Sequence, residues 1–174
     1  MTAAMYAAPT DPELWRAWHE AAGEAAVVET IEAVHRRIGE AAAERGPRCD
    51  QSGRCCRFGD YGHDLYVTGL EIALFRRRAA EPVLGATESG KVTLTQLGDE
   101  RVCPYMVGRS CSVHAARPAG CRIFFCEPGT QDWQQGLYEQ SLDAIRQLHN
   151  ERGLPYRYME WLDGLTVAKS EIVH

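Results

Sequence analysis

All seven cysteines of this 174-residue chain lie between Cys49 and Cys126, and three of them share the sixteen residues "CSVHAARPAGCRIFFC", 111–126, with a histidine and an Arg-Pro pair. Cysteines used only as small core residues would be scattered along the chain. Concentrated thiols instead require a segment that folds around sulfur, either as metal ligands or as redox groups. The rest of the chain must then supply the apolar framework that holds this segment in place.

The thiols come in three groups: Cys49-x5-Cys55-Cys56, then Cys103 followed by Pro104, then Cys111-x9-Cys121-x4-Cys126. Thiolates are soft ligands that select zinc, copper(I) or iron–sulfur clusters, and four of them close a tetrahedral zinc site or hold a four-iron cluster. Seven exceed one such site. Adding His114, which stands in a Cys111-x2-His114 loop, or His63 gives the eight donors of two tetrahedral sites; the alternative is one cluster with spare thiols. Neighbours in an extended segment point to opposite sides, so Cys55 and Cys56 can share a site only if the backbone turns sharply, and Gly53 permits that turn.

Charge follows the sulfur. Residues 46–127 carry 11 Lys/Arg against 9 Asp/Glu, net +2, while the rest of the chain is net −7. Surplus thiolate charge is tolerated in a protein interior only when it is neutralised or accepts hydrogen bonds. Arg54, Arg57, Arg109, Arg117 and Arg122 each stand within a few residues of a cysteine and read either as compensation for that charge or as solvated surface arginine; Arg117 and Arg122 are the candidates to bind around a metal group. Pro118 biases Arg117 away from helix, and Ala119-Gly120 leaves the backbone room, so a tight turn over 115–120 should carry Cys121 back towards Cys111. Arg122 is then expected to reach a thiolate or a neighbouring carbonyl. The expected centre joins Cys103, Cys111, Cys121 and Cys126, with the 49–56 loop closing over them.

The flanks read as helices. Asp11 can cap a helix with Pro12 at its first position. From Leu14 to Ile38, apolar residues recur at three and four as one long amphipathic helix that Gly23 weakens and "ERGP" ends. Thr68 and Glu71 form a capping box for a second helix. "DLYVT" and "KVTLTQL", 91–97, are short and β-prone, and 79–90 reads as a connection. After Cys126, Trp133, Leu137, Ile145 and Leu148 mark a helix face, Gly153 a stop, and 159–162 a further short helix. The fold class is mainly α with small β elements, N- and C-terminal helices enclosing an irregular cysteine-rich metal centre. One domain spans 1–174: an N-terminal helix to 45, the cysteine core at 46–127, C-terminal helices at 128–164 and a tail at 165–174.

Several classes of function are disfavoured. No basic, apolar leader and no span of about 18 apolar residues is written here, which predicts a cytoplasmic protein without membrane contact. Only Arg76-Arg77-Arg78 forms a basic run, too short to track a nucleic-acid backbone. There is no Gly-rich phosphate loop, no G-x-S-x-G, no H-E-x-x-H and no C-x-x-C redox pair. His19 and His35 lack cysteine neighbours and read as packed or surface residues, and His149 and His174 are assigned no role. His63, beside Asp60 and Asp64, reads either as a ligand or as a loop histidine bonded to a carboxylate.

The "CC" pair at 55–56, "CP" at 103–104 and "CSVHAARPAGCRIFFC" together resemble the YkgJ-type cysteine-cluster family, described as a zinc- or iron-chelating domain. The resemblance covers about residues 49–127, and "GHDLYVT" and "PYRYMEW" also look like features of longer members. It implies a small cytoplasmic bacterial protein whose metal ligands are Cys49, Cys55, Cys56, Cys103, Cys111, Cys121 and Cys126. Many members have a further cysteine where this chain has Ser52, and most an aromatic residue where it has His114. An iron–sulfur cluster or zinc is the implied cofactor, with the resemblance favouring the cluster. Some relatives, including flagellin lysine methylases, join such a cluster to chemistry. An iron–sulfur enzyme or electron-transfer partner is therefore the alternative to a metal-binding module, and a dithiol oxidoreductase is a third reading.

Overall fold

The computed structural model describes residues 8–79 and 101–172. Its helices are α1 (Pro12–Ala21), α2 (Ala25–Arg45), the single turn α3 (Phe58–Tyr61), α4 (Gly69–Arg78), α5 (Ala119–Ile123), α6 (Gln131–Glu151) and α7 (Trp161–Ile172). Short strands β1 (Tyr66–Thr68), β2 (Met106–Val107), β3 (Ser110–Cys111) and β4 (Tyr158–Glu160) and the 3-10 turns Arg54–Cys56 and His114–Ala116 lie between them. The molecule is mostly helical with small β elements, as its sequence predicts. Among the described residues, no helix is long and apolar enough to cross a membrane.

The N-terminus departs from the single long helix. Asp11 does cap α1, accepting from the Glu13 and Leu14 amides at 3.0 and 3.4 Å, but the helix stops at Ala21 and a new one starts at Ala25. A Cβ at Gly23 would lie 2.9 Å from the Arg77 guanidinium, so the break sits where the end of α4 approaches closely. The break lets the two halves pack on different partners: α1 lies on α4 and α7, and α2 on α5 and α6.

Two cores result. Around α1, α4 and α7, the fully buried Trp15, Trp18, Phe75, Tyr105 and Trp161 interlock, with Phe75 edge-on to both Tyr105 and Trp161 at 4.8 Å. Gly69 opens α4 because a Cβ there would sit 2.3 Å from the Trp18 indole. The second core joins Val34 and Ile38 of α2, Ala119 and Ile123 of α5, and Ile145 of α6.

Strand β1 confirms the β-prone reading of "DLYVT", but its antiparallel partner is β4, with Val67 opposite Met159. Residues 158–160, of which 159 and 160 were expected to be helical, are therefore extended, and α7 starts at Trp161. The expected tail is helical as far as Ile172, held down by the buried Leu165 and Ala168. The expected strand at 91–97 and all but the first residue of the 79–90 connection lie outside the described residues.

His149 lies wholly inside the first core, edge-on to Trp18 and Tyr156. Burial lowers its pKa to about 4. Between pH 6.5 and 4 the unfolded chain takes up a proton at this residue that the native chain refuses, so its contribution to stability declines as pH falls through that window. A His149→Phe protein should lose less stability than wild type between pH 7 and 4, the difference approaching about 3 kcal/mol. Parallel stability-versus-pH curves from urea titrations of the two proteins would disprove this.

Candidate metal centre

Gly53, at φ 75°, lets the chain turn into a short 3-10 segment, Arg54–Cys56. This tight turn aims two neighbouring side chains the same way, and the Cys55 and Cys56 sulfurs lie 3.9 Å apart. Just beyond, Arg57 bridges Val102 in antiparallel fashion, and the Cys103 amide donates to the Cys56 carbonyl at 2.7 Å. Cys103 is thereby set opposite Cys56. The β2–β3 hairpin pairs Met106 with Cys111 and delivers the third cysteine group. Past a second 3-10 turn, His114–Ala116, Arg117 is extended (φ −53°, ψ 135°), as Pro118 requires, and α5 presents Cys121.

These segments enclose a small cavity of about 20 Å³. Cys55, Cys56, Cys103, Cys111 and Cys121 line it, together with Phe58, Phe75, Val113, Pro118, Trp161 and one charged residue, Arg117. The three cysteine groups therefore do converge, but not as the expected tetrad. Cys126 lies outside the cavity, its sulfur 3.6 Å from the Ser52 hydroxyl. Cys49 is exposed, in a loop whose Arg48 amide donates to the Glu127 carboxylate. Since α5 ends at Ile123, the chain leaves in extended form and takes Cys126 away from the face that carries Cys121.

The five thiols are electrostatically distinct. Hydrogen bonds from Cys56 lower Cys55 to about 6, with help from the Arg117 charge. The Cys56 hydrogen bond, with the Trp161 indole N–H behind it at 3.4 Å, lowers Cys103 to about 7. Cys56, which shares these interactions with Cys103 and Cys55, is raised correspondingly. Burial raises Cys111 and raises Cys121 well above the ordinary thiol range. The arrangement thus combines two thiols prone to ionise, one proton held between them, and two buried thiols that stay protonated until a cation compensates them.

The arginines mostly organise backbone. Arg117 donates to the carbonyls of His114 and Cys121, both at 3.2 Å, while lining the cavity. Arg122 donates to the carbonyls of Arg117 (2.7 Å) and Ala115, taking the carbonyl option of the two expected for it. Arg57 pairs with Asp60, and Arg54 stacks over Tyr61. His114 is exposed and not part of the cavity wall. The His63 ring packs against Phe58 and Phe124, edge-on to the first and stacked on the second, and so is not directed at the cysteine cavity as a ligand.

Two residues to which the sequence assigned no part in the site complete it. Glu71 makes the expected capping box with Thr68, but its second oxygen accepts from the Ala119 amide at 2.9 Å and so fastens the start of α5 to α4. Trp161 supplies the N–H to Cys103 and a wall of the cavity. The "YMEW" segment carried no local sign of either role, since its partner sulfur is 58 residues away.

Comparison of the chain with family models, with curated proteins and with solved structures finds no match. Among the described residues, no three His, Cys, Asp or Glu side chains are already drawn together tightly enough to grip an ion. The donor chemistry nonetheless suits one. Zn–S bonds of about 2.3 Å in a tetrahedron put sulfurs about 3.8 Å apart, close to the Cys55–Cys56 separation of 3.9 Å.

Proposed function

We propose that Cys55, Cys56, Cys103, Cys111 and Cys121 form a thiolate metal centre, and that this protein is a metal-binding cysteine-cluster module. The observation that carries the reading is the cavity where five cysteines from distant parts of the chain meet. Its volume, about 20 Å³, is that of one water-sized guest. That size favours a single zinc ion over the iron–sulfur cluster favoured by the YkgJ resemblance. A bound zinc ion would supply charge compensation and folding energy.

The chain's own residues supply the rest. Trp161 and Arg117 offset thiolate charge, Arg122 and Glu71 fix the loop that carries Cys121, and the aromatic wall excludes water. Five thiols around a four-coordinate ion leave one spare. Zinc binding measured against a chelating indicator should weaken at least about tenfold in Cys103→Ser and Cys121→Ser, the loss typical of disturbed metal shells. Cys49→Ser, Cys126→Ser and His114→Ala should bind as wild type. Undiminished binding by Cys121→Ser, or abolished binding by Cys126→Ser, would overturn the assignment.

A further inference from the structure

Cys56 and Cys103 stand in an arrangement that metal binding alone does not need. They follow the Arg57–Val102 bridge as the next opposed pair, and the Cys103 amide bonds the Cys56 carbonyl. Directly opposed residues of an antiparallel pair have Cα atoms about 4.5–5.5 Å apart, inside the range of about 4.4–6.8 Å that a disulfide requires. Both side chains also line the same small cavity.

The nearer-looking alternative is the more strained one. The Cys55 and Cys56 sulfurs are 3.9 Å apart, but a trans peptide fixes the Cα atoms of neighbours at about 3.8 Å, short of the disulfide range. We therefore propose that Cys56 and Cys103 are an oxidisable pair that closes to a disulfide when the cavity holds no metal, with peroxide as the oxidant. The Cys103 sulfur, which receives the Trp161 N–H, attacks one peroxide oxygen. The O–O bond breaks, hydroxide leaves and Cys103 becomes a sulfenic acid. Cys56 then gives up its proton as it attacks that sulfur, the S–O bond breaks and a second hydroxide leaves. The two thiol protons convert both hydroxides to water, so two electrons pass from the sulfurs to peroxide.

The pairing itself does not depend on the metal reading, but protection by metal does. Full-length reduced protein, stripped by a chelator, should lose roughly two thiols per chain on peroxide treatment and regain them with dithiothreitol. Tryptic mapping should join the Cys55-Cys56-Arg57 peptide to the peptide carrying Cys103. Because one peptide holds both neighbours, variants decide between them: Cys55→Ser should keep the link and Cys56→Ser should lose it, with circular dichroism confirming that each is folded. A Cys55–Cys56 disulfide, a link from Cys103 to Cys111 or Cys121, or unchanged thiols in folded protein would overturn the proposal. Preloading with zinc should slow the oxidation several-fold. Equal rates with and without zinc, alongside the correct link, would leave the disulfide standing and count against metal in this cavity.

Discussion

Replacing Trp161 by alanine should destabilise the protein by about 3–5 kcal/mol, the cost of emptying a buried tryptophan site. The indole is 1% exposed, packs edge-on against Phe75 and forms part of the cysteine cavity wall. Urea denaturation should show the loss as a lower midpoint at unchanged slope. Trp161→Phe separates packing from the hydrogen bond to Cys103. It should cost less, on the order of 1–3 kcal/mol, while raising the pH at which Cys103 ionises, since the N–H that helps stabilise its thiolate is gone. Equal stabilities for wild type and Trp161→Ala would mean that α7 does not pack as described.

Glu71→Ala should be nearly as damaging. The carboxylate is 4% exposed and accepts from the Thr68 amide and hydroxyl, both at 3.0 Å, and from the Ala119 amide at 2.9 Å. Removing it leaves two backbone N–H groups buried without acceptors, at about 1–3 kcal/mol each, for a total of roughly 2–6 kcal/mol. Glu71→Gln keeps one oxygen but turns an NH2 group towards a donor, so its loss should fall between wild type and alanine. Hydrogen exchange distinguishes this from loss of an ordinary cap: the amides of α5 should lose protection as well as those of α4. Faster exchange confined to α4 would show that the Ala119 contact is unimportant.

That contact marks the boundary of what local patterns reveal. The Thr68–Glu71 box, the Asp11 cap and the extended Arg117 were legible because each depends on residues a few positions apart. The second role of Glu71 was not, because Ala119 is 48 residues away. Likewise the apolar stripe stays in phase through Gly23, so periodicity alone extends the helix, whereas Arg77 and the packing of α1 on α4 favour a break. Tyr158–Glu160 is extended because β1 pairs with it, a partner no spacing rule identifies.

The cysteine centre was legible in outline for a different reason. Thiol clustering is a matter of composition, and Gly53 announced the turn that aligns Cys55 with Cys56. Membership of the cavity was another matter. Counting residues placed Cys126 with Cys121, but the short length of α5 sends it to Ser52 instead, and the hairpin and bridge bring Cys55 and Cys56 into its place.

The central claim is tested most directly by elemental analysis of protein purified without oxygen or strong chelators. About one zinc per chain in colourless protein, released together with loss of ordered structure, is the result expected of a closed thiolate site. Iron and sulfide in brown protein would replace the ion by a cluster. Neither metal above a small fraction per chain would contradict the metal centre altogether.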